Sequence, residues 1–551
     1  MKLSQNRYFL VLFCALLLIT QVHAQKAGLK KIDLPDLDSH LTFLIDDDLE
    51  GRATGEPGLD KAAEYIRKQA KRIGLKAIDD NGDYYQEYTL VSKRMDTENS
   101  SITVISEKEK INLGNPFYLL NPDTLNHEIS GEVVFAGYGI YSKEDEYNDF
   151  DGIEIGGKIV MIMNRGPLDE SGKSLLEGQD WSSDRSYQFK MPGIIMRGPK
   201  AVLIVMDPKS GYNSLEEYSP RMARYLSTSR YVKEFGQKDR SFMPNVATKI
   251  IMIHREVADE ILKGGSKTLE KLQNKIDKKL KPVSFDIPET TVEISANYTL
   301  DEKAVPNVVG LIEGNDPELK KEVIIYTAHF DHVGTDGMGG VFNGADDNAS
   351  GTVALMEIGE AFMAEQKNLK RSVMILWVSG EEIGLFGSKY YTENPLIPLE
   401  QTVVNMNLDM VGSVRTERDK GSVGGEKVSV LGMDSLSLIG GHQSSELMDI
   451  HNQTMDKVGM FTDSTMNDPN HPYRYFYRSD HINFARRNIP ILFYSTGIHV
   501  DYHKITDNYD RINFEKLKKV SELSYLVGYE LATRPERIVV DNPFSNWGRM
   551  R

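Results

Sequence analysis

The chain has 551 residues, of which 40% are apolar and 26% are charged. This composition is ordinary for a globular protein, and the length predicts more than one compact unit. The formal net charge of -16 argues against nucleic acid and against anionic membranes as partners, because both repel an acidic surface.

The first 24 residues have the features of a signal peptide. Lys2 and Arg7 precede a mostly apolar run from Tyr8 to Val22, and Val22-His23-Ala24 resembles a small-residue cleavage site. A retained membrane anchor is the alternative, but the run is short for a bilayer span of about 20 residues. We therefore expect cleavage after residue 24, export to the periplasm or beyond the cell, and no stable membrane insertion afterwards.

Cleavage would leave a chain without cysteine, because Cys14 lies in the removed segment. Such an exported protein must depend on its core and on bound metal rather than on disulfides. The mature chain would hold 63 basic and 81 acidic residues, a net charge of -18.

The next two regions are predicted to be one part of a domain and an insertion into it. Residues 25–115 begin the first domain, with helical spacing of apolar residues over 60–75 and strands over 85–91 and 101–105. Residues 116–290 have short apolar runs between long polar stretches, and we interpret them as an inserted, β-rich module.

The second part of the first domain is predicted over residues 291–535, and a polar tail over 536–551. Helices are predicted over 351–366 and 514–531, among five apolar strand candidates. Strands alternating with helices indicate an α/β fold with a mixed, largely parallel central sheet flanked by helices. The strand candidates are VVGLIEG, EVIIYTAH, SVMILWVSG, VVNMNLDMV and IPILFYSTG.

Imidazoles and carboxylates follow these strand candidates closely. His329 ends the second strand, Glu381 and Glu382 follow the third, Asp409 ends the fourth, and His503 comes shortly after the last. In open α/β sheets, ligands bind beyond the carboxyl ends of the strands. We therefore expect these side chains to collect at one edge of the sheet.

Asp347 lies in the segment GADDNASG, where a tight turn leads into a predicted helix. Its carboxylate could simply cap that helix, since aspartate is common at this position. In the company of the other polar residues, an inward-facing carboxylate is the better interpretation.

Two imidazoles, three carboxylates and one further glutamate suit a paired-metal hydrolase. Zinc binds imidazole nitrogen and carboxylate oxygen together, and a two-metal site needs a bridging carboxylate and a base. One member of Glu381-Glu382 could bind metal while its neighbour faces the substrate. Asp331 and Asp507 could orient the two histidines. Four other nearby residues are not counted among the ligands: His332, Asp480, His481 and His499.

The segments HFDH, GADDNASG, SGEEIGLFGS, LDMVGS and YHKITD resemble the successive signatures of the M28 metallopeptidases. That family includes secreted bacterial aminopeptidases and glutamate carboxypeptidase II. The resemblance covers residues 300–535 and also 40–90, where LEGRATGEPGLDKAAEYI is similar to the family's opening segment. The insertion resembles a protease-associated domain, with FAGYGI as its clearest part.

The resemblance implies a zinc exopeptidase-like fold and a role for each residue of the site. Asp347 would bridge two zinc ions, and Glu381 would be the general base. Asp331 would orient His329. Tyr502 matches a tyrosine that helps to stabilise the oxyanion in the carboxypeptidase branch only, so a packed tyrosine is the alternative. The remaining ligands would be His329 and Asp409 for one ion, and Glu382 and His503 for the other.

These roles imply an exported two-zinc exopeptidase that removes the N-terminal residue of a peptide. A carboxypeptidase or dipeptidase of the same fold would differ in the substrate pocket, which the sequence does not specify. A glutaminyl cyclase would share the fold but use one zinc ion. A receptor-like protein would have lost ligands, and none is missing. The preferred terminal residue, the role of the insertion and the oligomeric state are left open.

Overall fold

A computed structural model of the chain describes residues 27–77, 82–122, 124–227, 230–233, 247–337 and 339–544. These residues form two units. One comprises the described residues up to Thr89 and from Ala304, and the other runs from Leu90 to Lys303. The signal peptide predicted at 1–24 lies outside the described residues, as do residues 545–551 of the predicted tail.

The first unit is built on one mixed sheet. Its four central strands run parallel to one another, and the strands beside them run antiparallel. The mixed, largely parallel sheet expected from the sequence is thus confirmed. In spatial order the strands are Phe461–Asp463, Ser435–Gly440, Ile491–Ser495, Thr402–Leu408, Val323–His329, Ser372–Val378 and residues 308–312 of the long strand Ser284–Ile312.

The central strands are buried along their length because helices and loops cover both faces. Every residue of Val323–His329, Ser372–Val378 and Thr402–Leu408 is buried, which is typical of parallel strands inside an α/β sheet. A short hairpin, Ser422–Val423 with Glu426–Lys427, lies outside this sheet.

Three of the helices in this unit, Pro57–Ile73, Gly351–Ala364 and Phe514–Thr533, match the predicted helices within a few residues. Pro57–Ile73 starts with proline in its first turn and ends at Gly74, whose φ of 89° suits glycine. None of the helices in the described part of the chain is long and apolar enough to cross a bilayer. The helices are Leu34–Leu44, Pro57–Ile73, Gly351–Ala364, Phe386–Glu393, Ser445–Val458, His481–Ala485 and Phe514–Thr533.

The second unit has a sheet of its own with several helices. Its parallel strands are Asn126–Ala136, Ile159–Met163, Ala201–Val205 and Lys249–Ile253. Its other strands are Ser101–Ile105, Lys110–Asn112, Phe117–Leu119, Tyr141–Ser142, Tyr147–Asn148, Arg230–Lys233 and the first part of Ser284–Ile312. The boundary between the units, after Thr89, falls within the strand Tyr85–Met95. Its helices are Tyr187–Ile195, Leu215–Tyr218, Pro220–Ser227, Arg255–Leu262 and Leu269–Lys279.

This unit is wider than the insertion predicted at 116–290. The strand Ser101–Ile105 pairs with residues 291–295 of the strand Ser284–Ile312. These two strands flank the predicted insertion, one on each side of it in sequence. Because they pair, residues before 116 and after 290 belong to the same unit. Its identity as a protease-associated domain stays a prediction.

Glu357, on the helix Gly351–Ala364, makes the stability of the first unit depend on pH. Its side chain is 0% exposed, and one carboxylate oxygen accepts the Asp33 N–H at 3.1 Å. Burial raises the pKa of Glu357 from 4.5 to about 8. Between these values the folded chain holds a proton that the unfolded chain releases, so the free energy of unfolding falls as pH rises through this window.

We expect Glu357→Gln to unfold at higher urea concentration than the wild type at pH 8, and at an equal one near pH 4.5. The gain in the free energy of unfolding is about 1.4 kcal/mol for each unit by which the pKa of Glu357 differs between the folded and the unfolded chain. Urea unfolding of zinc-loaded protein between these pH values measures it. Glu360→Gln is the control, since Glu360 lies on the same helix and pairs with Arg72 at 2.6 Å. An unchanged pH dependence in Glu357→Gln would show that Glu357 does not carry the effect.

Candidate metal centre

The strand order brings the predicted polar residues to one edge of the sheet. His329 is the last residue of its strand, and Asp409 directly follows Thr402–Leu408. Glu381 and Glu382 come three and four residues after Val378, and His503 follows Ile491–Ser495 through a loop. Because these strands are parallel neighbours, their carboxyl ends meet at the same place.

Asp347 lies between two groups of side chains. It sits in the turn Ala345–Ser350 that leads into the helix Gly351–Ala364. Its Oδ1 lies 3.4 Å from His329 Nε2, and its Oδ2 lies 3.0 Å from His503 Nε2. Each oxygen therefore faces a different imidazole, which is the geometry of a bridging carboxylate.

The first group consists of His329, Asp347 and Asp409. His329 Nε2 lies 3.4 Å from Asp409 Oδ1, and all three residues are buried. His329 Nδ1 lies 3.1 Å from the Asp331 carbonyl oxygen, which requires the proton on Nδ1. This tautomer, assigned from the hydrogen bond, leaves the Nε2 lone pair facing the two carboxylates.

The second group is formed around Glu382. Its Oε1 lies 3.2 Å from His503 Nε2 and 2.8 Å from His332 Nδ1. The donor atoms of His332, Asp347 and Glu382 all lie within 4.8 Å of one another. His332, which is not among the ligands predicted from the sequence, is thus part of this group.

The two groups have the properties of cation sites. His329 Nε2 and Glu382 Oε1 are buried and have no hydrogen-bond partner among the described residues. Burying unpaired carboxylates and lone pairs is costly, so their convergence calls for a positive charge between them. Imidazole nitrogen and carboxylate oxygen are the ligands that zinc accepts together.

The pKa values of Asp347 and Glu381 are shifted in opposite directions. Burial opposes the charge on Asp347, but the surrounding histidines outweigh burial and hold the pKa of Asp347 well below its usual value. Burial and the carboxylates of Glu382 and Asp409 raise the pKa of Glu381 well above its usual value, against the effect of His329. The Glu381 carboxyl therefore holds a proton more readily than the Asp347 carboxyl, and the charged Asp347 attracts cations.

A family model described as "Peptidase family M28" matches residues 307–527. These residues belong to peptidase family M28. Leucine aminopeptidase 2 of Arthroderma otae (strain ATCC MYA-4605 / CBS 113480) is 25% identical over 213 residues, which are 38% of this chain and 38% of that protein. The chain therefore spans less than half the length of this curated relative.

Solved structures confirm the fold of the chain. The aminopeptidase from Aneurinibacillus sp. strain AM-1 superposes with a TM-score of 0.50 and 18% identity, over 94% of this chain and 98% of that one. BSAP, a zinc aminopeptidase from Bacillus subtilis, gives a TM-score of 0.50 and 18% identity, over 92% and 96%.

Asp331 acts mainly on the glutamate loop of the M28 segment. Its carboxylate accepts the N–H groups of Glu381 at 3.2 Å and Glu382 at 3.3 Å, and the Thr54 hydroxyl at 2.8 Å. The predicted bond to His329 comes from the Asp331 carbonyl oxygen instead, while its carboxylate is 3.7 Å away. Asp331 therefore positions a histidine and both glutamates.

Asp507 does not have the predicted position as partner of His503. Its two oxygens accept the N–H groups of Asp346 at 3.0 Å and Asp347 at 3.1 Å. Asp507 thus fixes the backbone of the turn that carries Asp347. Sequence distance from His503 alone gave no sign of this contact.

A buried chain of hydrogen bonds fixes Asp409. Ser479 Oγ donates to Asp409 Oδ2 at 2.7 Å, and Asn407 Nδ2 donates to Ser479 Oγ at 2.9 Å. Thr327 Oγ1 in turn donates to Asn407 Oδ1 at 2.7 Å across the paired strands. With Oδ2 occupied by Ser479, only Oδ1 of Asp409 faces His329.

We expect Ser479→Ala to lower zinc affinity about 10–100-fold at the ion bound by Asp409, because the carboxylate loses its orientation. Chelator competition on the purified variant measures this affinity. Ser479→Thr, which keeps the hydroxyl, is the matched control and should retain most of it. Equal zinc affinity in Ser479→Ala and wild type would mean that packing alone orients Asp409.

A pocket opens directly beside the two groups. Tyr502 lines it, and its ring stacks on His503 with centroids 3.9 Å apart. Arg478 Nη2 donates to the Tyr502 hydroxyl at 3.4 Å, and its Nη1 contacts both Glu426 oxygens at 2.6 Å. Glu381 also lines the pocket. The pocket is also lined by five apolar residues: Met410, Ile439, Met466, Phe493 and Ile498.

Three of the four residues that are not counted among the ligands in the sequence make other contacts. Asp480 Oδ1 accepts the Ser388 hydroxyl at 2.5 Å, and the His481 ring bonds to a backbone carbonyl. His499 Nε2 lies 3.4 Å from Asp346 Oδ2. The fourth residue, His332, lies within the second group.

Proposed function

We propose that the chain is a zinc-dependent exopeptidase that binds two ions and removes the N-terminal residue of a peptide. The observation that carries the proposal is the position of Asp347, whose two oxygens face two separate donor groups. The ligands are His329 and Asp409 on one side, Glu382 and His503 on the other, and Asp347 between them.

Zinc at these positions would polarise the scissile carbonyl and make the attacking water more acidic. Glu381 would take a proton from that water and later pass it to the leaving amine. Its position on the pocket wall suits both steps. The Tyr502 hydroxyl would donate a hydrogen bond to the developing oxyanion from the wall of the pocket.

The proposed localisation and substrate class are supported by residues 1–24 and by the net charge. The signal-like residues 1–24 support export to the periplasm or beyond the cell, and the acidic charge supports a peptide rather than nucleic acid as partner. The second unit, Leu90–Lys303, would serve as a protease-associated domain.

A carboxypeptidase or dipeptidase is the second candidate, and Arg478 is the observation that favours it. A guanidinium beside the pocket is the group that binds a substrate carboxylate. Glu426 already pairs with Arg478 Nη1, however, which reduces its capacity for a second carboxylate.

Hydrolysis of matched substrates tests the proposal. Purified protein should hydrolyse aminoacyl anilides, lose activity with chelator and regain it with zinc. Peptides with an acylated N-terminus and a free carboxyl end should be poor substrates. Preference for the acylated peptides would favour the carboxypeptidase, and release of pyroglutamate from N-terminal glutamine would favour a cyclase. Zinc-loaded protein inactive on every substrate would reject the proposal.

A further inference from the structure

We infer that His332 is a further zinc ligand, on the ion shared by Glu382 and His503. This inference rests on the proposed two-zinc site and adds a third imidazole to it. The M28 motifs that identify the other ligands do not assign His332.

The contact between His332 and Glu382 is short and does not have the geometry of a regular hydrogen bond. Nδ1 and Oε1 lie 2.8 Å apart, yet neither atom has a hydrogen-bond partner among the residues that the structure describes. A separation this short fails as a hydrogen bond only when the oxygen lies well off the direction of the ring nitrogen's lone pair or N–H. Two ligands of one ion have this arrangement, because both point at the ion rather than at each other.

His332 and His503 share the same oxygens. His332 Nδ1 lies 3.7 Å from Asp347 Oδ2 and 2.8 Å from Glu382 Oε1, and His503 Nε2 lies 3.0 and 3.2 Å from the same two atoms. Zinc ligands about 2.0–2.2 Å from the ion are separated by similar distances. The two rings lie 5.6 Å apart with their planes at 70°, so both can face one point without stacking.

The surroundings hold the His332 ring in this orientation. The residue is buried, and its backbone N–H donates to the Arg52 carbonyl at 3.1 Å. Gly344 lies so close to the ring that a Cβ there would be 2.5 Å from its atoms. The ring is therefore fixed before metal binds, as a preorganised ligand should be.

The competing explanation is that His332 only donates a hydrogen bond to Glu382 after a small rotation. His332→Asn separates the two roles, because an asparagine amide nitrogen takes the place of Nδ1 and donates, but is a poor zinc ligand. A ligand role predicts that Asn and Ala variants both lose more than about 100-fold in affinity for one of two zinc ions, beyond the 10–100-fold typical of residues that only support a ligand.

The experiment measures zinc directly. Chelator competition and metal analysis are run on wild type, His332→Asn and His332→Ala, with His503→Ala as the variant expected to lose the same ion. His451→Asn is the control for a buried histidine elsewhere, since His451 bonds to Tyr494 and Thr462. X-ray absorption of the wild-type protein counts imidazoles without any variant, and should find three for two zinc ions.

Two imidazoles for two zinc ions, or wild-type affinity in His332→Asn, would overturn the inference while leaving the two-zinc proposal intact. A wild-type protein that binds one zinc ion and hydrolyses no peptide would reject the proposed function itself. Three imidazoles together with loss of one ion in both His332 variants would establish the ligand.

Discussion

Replacing Glu381 by glutamine is expected to lower kcat on aminoacyl anilides by about 10²–10⁴-fold, the contribution typical of a general base. Glutamine preserves the shape of the side chain but cannot take a proton from water. The donor atoms of the metal groups are unaffected, because Glu381 contributes none of them. Zinc content should therefore stay at two ions per chain, and KM should change little.

Substitution of the neighbouring Glu382 is the comparison for Glu381→Gln. Glu382→Gln removes a carboxylate that lies 3.2 Å from His503 Nε2, so it should lower zinc content as well as kcat. Stopped assays combined with metal analysis distinguish the two variants. If Glu381→Gln retains full activity, or if it loses zinc as Glu382→Gln does, the base assignment is wrong.

The sheet and the edge that carries the site could be predicted because both depend on local patterns. Val323–His329 and Thr402–Leu408 are mostly apolar runs, and a polar residue that ends or directly follows such a run lies at the carboxyl end of the strand. Parallel pairing then brings His329 and Asp409 together without further information. The role of Asp347 needed the resemblance as well, because a helix cap was equally consistent with its turn.

The supporting contacts could not be predicted, since they depend on loops that pack across long sequence distances. Ser479 reaches Asp409 from 70 residues away, and Asp507 reaches Asp347 from 160 residues away. The sequence does not place His332 among the ligands, because a lone histidine near a motif is usually structural. Only its distance to Glu382, a value with no sequence signal, places it in the second group.

Asp347→Asn should have the largest effect of any single substitution in the site. Asp347 is the one ligand that both groups share among the described residues, with an oxygen 3.4 Å from His329 and another 3.0 Å from His503. An amide provides one oxygen and one N–H, and the N–H would face an imidazole or an ion. We expect both zinc affinities to fall and activity to drop by more than about 10⁴-fold, beyond the loss of the base alone.

Asp409→Asn is the matched control for this variant, because Asp409 faces His329 but not His503. It should weaken one zinc ion and leave the other in place, whereas Asp347→Asn should weaken both. Adding Glu381→Gln to Asp347→Asn should cause little further loss, because a base without an activated water has no step to perform and such effects are not additive. Loss of a single zinc ion from Asp347→Asn would show that the two groups bind independently, and the bridging role would then be wrong.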